Sequence, residues 1–144
     1  MTDLSYASGV YVVEITAPGP QGRAGTTGLS IESASFTYMG TLDVYQGAGR
    51  WVFADPATLL SVQASVNDAP AGSDVVVDVN KNGTSIFTDQ ADRPRIIAGT
   101  HSDVVEQGSV TFDVGDYVTV DIDQVGSINA GSTLVVIVRY STTQ

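Results

Sequence analysis

The segment Asp78-Val79-Asn80-Lys81-Asn82-Gly83 has the D-x-N-x-N-G opening of a calcium loop, and Asp89 occupies the twelfth position, where such a loop places its last carboxylate. A hard cation needs several oxygen ligands, yet here Asp78 and Asp89 would be the only charged ones, with the Lys81 ammonium set among them. The same letters also spell a hairpin. Asn82-Gly83 is a strong signal for a two-residue turn, and the runs Val75 to Val79 and Ile86-Phe87 flank it with β-favouring residues. We adopt the hairpin and assign no metal; Asp78, Asn80, Asn82 and Asp89 are the residues a calcium ion would use. The single histidine, His101, lies in Gly99-Thr100-His101-Ser102-Asp103, a stretch of loop residues without a nucleophile elbow. Sixteen acidic residues offer many carboxylate pairs, none at a spacing specific to glycoside hydrolysis. No catalytic residue is assigned, no cofactor is implied, and a non-enzymatic protein is expected.

Aromatic residues offer a different chemistry, because flat rings stack on sugars. Tyr38, Tyr45, Trp51 and Phe53 cluster along the chain, although aromatic side chains in a small β-domain more often fill its core. Arg50-Trp51-Val52-Phe53 reads as a strand with Trp51 and Phe53 on one face, so Trp51 is expected in the core and Tyr45 is the better loop platform.

The elements that must position these residues are strands. Gly, Ser, Thr, Val and Asp dominate the composition, while Lys81 is the only lysine and there are three Glu. Short β-favouring runs are expected at Ser35 to Leu42, Arg50 to Phe53, Leu59 to Val66, Asp74 to Val79, Thr84 to Thr88, Arg95 to Ala98, Ser109 to Val114, Tyr117 to Asp123 and Thr133 to Tyr140. Turn signals separate them, and Tyr117 to Asp123 alternates so that Val118, Val120 and Ile122 point inward and Asp121 and Asp123 toward water. The expected fold is all-β, a jelly-roll-like β-sandwich of about eight strands over residues 30–144.

Two zones precede that domain. Residues 1–17 contain one β-favouring run, with Val10, Tyr11, Val12, Val13 and Ile15, that cannot build a core alone and reads as a docking arm. Residues 18–29 carry Gly19, Gly22, Gly25 and Gly28 at every third position, the period of a collagen-like stem. Only a hydrogen fits on the axis of three wound chains, so the motif speaks for a homotrimer, held together by its head because four triplets are too few alone. A flexible Gly-rich linker is the competing account.

Composition sets further bounds. With 144 residues the chain can form one domain and an appendage. A net charge of -10 opposes binding to a phosphate backbone, so nucleic acid is not an expected partner. There is no cysteine, which excludes disulfides and thiolate metal sites. No apolar run approaches the ~20 residues needed to cross a bilayer, and neither a secretion signal nor membrane insertion is expected.

The passage Val13-Glu14-Ile15-Thr16-Ala17-Pro18-Gly19-Pro20-Gln21-Gly22 resembles the opening of small minor tail proteins of long-tailed actinobacterial phages, where a short strand leads into a collagen-like repeat. Gly47-Ala48-Gly49-Arg50-Trp51, Ala69-Pro70-Ala71-Gly72-Ser73, Asp78 to Gly83, Arg93-Pro94 and Gly115 to Asp121 are similar to the β-domain that ends such proteins. The repeat here is shorter than theirs and lacks proline beyond its start, which favours a compact knob over an extended fibre. The resemblance implies a structural role in the virion, at the tail tip or fibre, with contact to other virion proteins and to the host surface. It transfers no catalytic residue. A trimeric capsid decoration protein and a module that binds a host cell-wall glycan are the alternatives.

Overall fold

The computed structural model describes residues 28–143 and two short strands before them, β1 (Tyr6–Ala7) and β2 (Val10–Tyr11), which pair antiparallel. The remaining strands are β3 (Leu29–Thr41), β4 (Tyr45–Val52), β5 (Ala57–Asp68), β6 (Val75–Lys81), β7 (Thr84–Ser85), β8 (Arg95–Ile96), β9 (Ser102–Glu106), β10 (Thr111–Phe112), β11 (Tyr117–Gln124) and β12 (Ser132–Thr143). They form two antiparallel sheets. In the first the order is β3-β12-β5, with β9 and β10 both lying along the far side of β5. The second runs β4-β11-β6, with β7 and β8 along β6. Counting β7/β8 and β9/β10 as two interrupted strands, each sheet has four, and the chain passes back and forth between them. That is the jelly roll expected from the sequence.

Alternation explains how the sheets face each other. Val118, Val120 and Ile122 of β11 are buried, as expected, and meet Leu134, Val136 and Val138 of β12 in one core. Each such side chain contributes about 1.5–3 kcal/mol by leaving water. At one end Phe53 stacks on Phe112 with centroids 4.1 Å apart and meets Tyr140 edge-on at 5.0 Å.

Several sequence expectations need correction. β6 is buried on both faces, because the chain from Ser85 to Arg93 is tied over its outer side. Asp121 and Asp123 are therefore half-buried rather than in water, with Asp121 accepting from the Asn80 amide at 2.8 Å and Asp123 paired to Arg93. The expected strand from Thr84 to Thr88 stops at Ser85, since Phe87 plugs the core from a loop that continues into a 3₁₀ turn at Gln90–Asp92. β3 begins at Leu29 rather than Ser35, and β9 lies where a polar loop was expected.

Candidate functional site

Trp51 lies opposite Val118 in the register of β4 and β11, and it shares its side of the strand with Phe53. Burial separates the two: Phe53 is 2% exposed and Trp51 40%. The core expectation for Trp51 is thus corrected. The indole faces the open margin of the sandwich, where Glu32 of β3, Tyr140 and Thr142 of β12 and Asp55 line a cleft of about 110 Å³ with it. β-pairing builds this cleft, since Tyr140 and Glu32 are direct partners across β12 and β3. The Tyr140 hydroxyl donates to Glu32 Oε2 at 3.3 Å. Burial pushes the Tyr140 phenol up, the Glu32 charge and hydrogen bond add to that, and the Trp51 indole N–H opposes it. A flat ring beside carboxylates is chemistry for binding a polyhydroxylated ligand. Glu32, Asp55 and Tyr140 had no sequence signal, because they come from three distant segments that only the pairing unites.

A second aromatic cleft, about 180 Å³, lies between Tyr38, Met39, Leu42, Tyr45 and Ile122. Tyr45 is 54% exposed and leans edge-on against Tyr38, ring centroids 6.4 Å apart. The Tyr38 hydroxyl donates to the Val120 carbonyl at 3.0 Å, and its pKa is pushed up to about 12, by burial first and then by the Asp121 charge. A wider, open cleft of about 610 Å³ runs between β8 and β9. Its two arginines have acidic partners, Arg93 with Asp123 and Arg95 with Asp74 at 3.3 Å.

The calcium letters do form the hairpin. Asn82 and Gly83 both have positive φ, 51° and 86°, as a two-residue turn between β6 and β7 requires. The four side chains are not gathered on one point. Asp78 accepts from the Ser85 hydroxyl at 2.7 Å, the Asn80 amide donates to Asp121, the Asn82 amide donates to Asp116 at 2.7 Å, and Asp89 caps the 3₁₀ turn by accepting from the Ala91 N–H at 2.9 Å. His101 is exposed beside β9, where its carbonyl accepts from the Val66 N–H at 2.8 Å. Of the stem residues, Gly28 is described, exposed and directly before β3, while Gly19, Gly22 and Gly25 lie outside the described residues. Within the arm, Val10 and Tyr11 form β2, whereas Val12, Val13 and Ile15 lie outside them.

No protein-family model matches the sequence, and no curated protein does. Among solved structures, the chain is similar to a chain of the cyanophage Pam1 capsid asymmetric unit, with 15% identity and a TM-score of 0.45 over 89% of this chain and 99% of that one. It is also similar to the Podospora anserina GH26-CBM35 beta-(1,4)-mannanase, with 16% identity and a TM-score of 0.40 over 83% of this chain and 28% of that one.

Proposed function

We propose that this chain is a non-enzymatic structural component of a phage virion, a homotrimeric minor tail protein of the tail tip or fibre, with residues 1–17 as docking arm, a collagen-like stem from Pro18 that gives way to β3 after Gly28, and the sandwich as a knob toward the host. One observation carries it. Gly28, the last glycine of the triplet period, is followed without a linker by Leu29, the first residue of β3, so a stem would hand its three chains directly to three jelly rolls. Electron microscopy of particles carrying a labelled head is the test. Label at the tail tip is the expected result; label spread over the capsid would replace the tail reading with the decoration one. Particles made with a chain that begins at Pro18 should lack the head, and normal incorporation would refute the docking arm.

A second reading, a host cell-wall glycan module, is favoured by the exposed Trp51 beside Glu32 and Asp55. Purified protein should then bind host envelopes, and Trp51→Ala should abolish binding while the domain stays folded. Tyr45→Ala is the parallel probe of the second cleft. No binding by the intact protein leaves the structural role alone.

A further inference from the structure

We infer that the outer face of the β3-β12-β5 sheet is the surface through which copies of this chain pack against one another around the stem. The inference rests on the trimeric reading above and adds the face.

A strand with one solvated side alternates apolar and polar residues, whereas a strand covered on both sides is apolar throughout. β11 follows the first pattern, Val118-Thr119-Val120-Asp121-Ile122-Asp123. β12 follows the second: Leu134-Val135-Val136-Ile137-Val138 is apolar without a break. Leu134, Val136 and Val138 fill the core, so Val135 and Ile137 point to the outer face. There Ile137 stands between Ser35 of β3 and Gln63 of β5, and Val135 between Thr37 and Ser65. These flanking side chains are small or neutral and leave the apolar row open to a partner.

Charge identifies that partner. No outward position of β3, β12 or β5 carries a carboxylate, in a chain with sixteen Asp and Glu; Glu106 stands one strand further out, on β9. On the outer side of the other sheet β11 carries the half-buried Asp121 and Asp123, with Asp78 beneath the Ser85 to Arg93 chain beside them. Copies at -10 each repel, and the face on which they can meet is the one without acids.

Chain path gives the third argument. β3 is the edge strand of this same sheet and starts at the residue after Gly28. Three stems sharing an axis would start three β3 strands at that axis. A cyclic trimer uses a heterologous contact. The β3 margin of one copy, where Leu29, Ile31 and Met39 are 73%, 59% and 80% exposed, therefore meets the Val135 and Ile137 rows of the next.

The test compares the full chain with Ile137→Asp by native mass, with circular dichroism to follow the sandwich. A folded monomer at one third of the wild-type mass is expected for the variant, while Ile128→Asp, in an 85% exposed loop position, keeps the trimer. A trimer that survives Ile137→Asp overturns the inference and leaves the trimeric reading standing. A wild-type chain that is itself monomeric overturns that reading first. Should Ile137→Asp unfold, thiol labelling decides, because the chain has no cysteine of its own. A maleimide should react more slowly with Ser35→Cys than with Ile128→Cys in the intact trimer, and equal rates would overturn the inference.

Discussion

Asp78 of β6 and Asp116, which meets the β6-β7 turn from the residue before β11, respond to their surroundings in opposite directions. Burial pushes the Asp78 carboxyl up, aided by the charge of Asp123 and opposed by the Ser85 hydroxyl. Asp116 is held at about 2, first by the Asn82 amide, then by the Asp113 N–H and Lys81. A raised carboxyl contributes stability below its unfolded value of 3.8 that is lost as pH rises through the folded one. Asp78→Asn, which keeps an acceptor for Ser85, should therefore raise the melting temperature at pH 7 and leave it unchanged near pH 3. Asp116 contributes above 3.8 and loses that contribution as pH falls toward about 2, so Asp116→Asn should be destabilising at pH 7 and neutral in strong acid. Thermal melts of both variants across pH test the signs, and a matching trend in the two would contradict them. Burial likewise separates Trp51 from Phe53. Phe53→Ala should cost about 3–5 kcal/mol, whereas Trp51→Ala, at the open margin, should cost about 1–2 kcal/mol. Urea unfolding of the two variants measures the difference; equal losses would return Trp51 to the core.

Within the connecting elements, glycine acts for two distinct reasons. Gly83 has φ +86° and open space where a Cβ would stand, so Gly83→Ala should cost only the left-handed backbone penalty, about 1 kcal/mol. Gly126 lies in the loop between β11 and β12, and its Cβ would overlap the Asn129 carbonyl and press on the Ala71 N–H at 2.9 Å. Those groups hold the Ala71 and Asn129 bridge, so Gly126→Ala should open the loop and cost more than Gly83→Ala in the same unfolding assay. Sequence legibility at this scale followed burial. β11 could be read because one face is core and the other polar, and Asn82-Gly83 because a turn needs positive φ. β9 could not, since Ser102-Asp103-Val104-Val105-Glu106 sends only Val105 toward the core and is a strand through its backbone pairing with Ser61 to Ser65. The start of β3 was hidden for the same reason: Leu29 to Ser33 pair with Arg139 to Thr143 but bury little. The cleft at Trp51 was legible only as one aromatic residue, because its carboxylates arrive by tertiary pairing.

At the scale of the whole molecule, the dominant quantity is charge. Each copy carries -10, and a trimer brings three such charges within a few tens of ångströms. At about 0.01 M salt the Debye length is ~30 Å, so the copies repel through most of their volume; at about 0.15 M it is ~8 Å and that repulsion is largely screened. The face inferred for self-association has Arg139 as its charge on β12 and no carboxylate on β3, β12 or β5, so there are no ion pairs at its centre for salt to weaken. Both effects have the same sign. Assembly should tighten as salt rises, with the concentration at half dissociation falling between 0.01 and 0.15 M by roughly tenfold. An interface built from Arg93, Arg95 and the acids around them, in the cleft between β8 and β9, would behave oppositely, loosening as its ion pairs are screened. Sedimentation equilibrium at the two salt concentrations separates these cases. Dissociation promoted by salt would move the contact from the apolar rows of β12 to the charged edge on the other side of the sandwich.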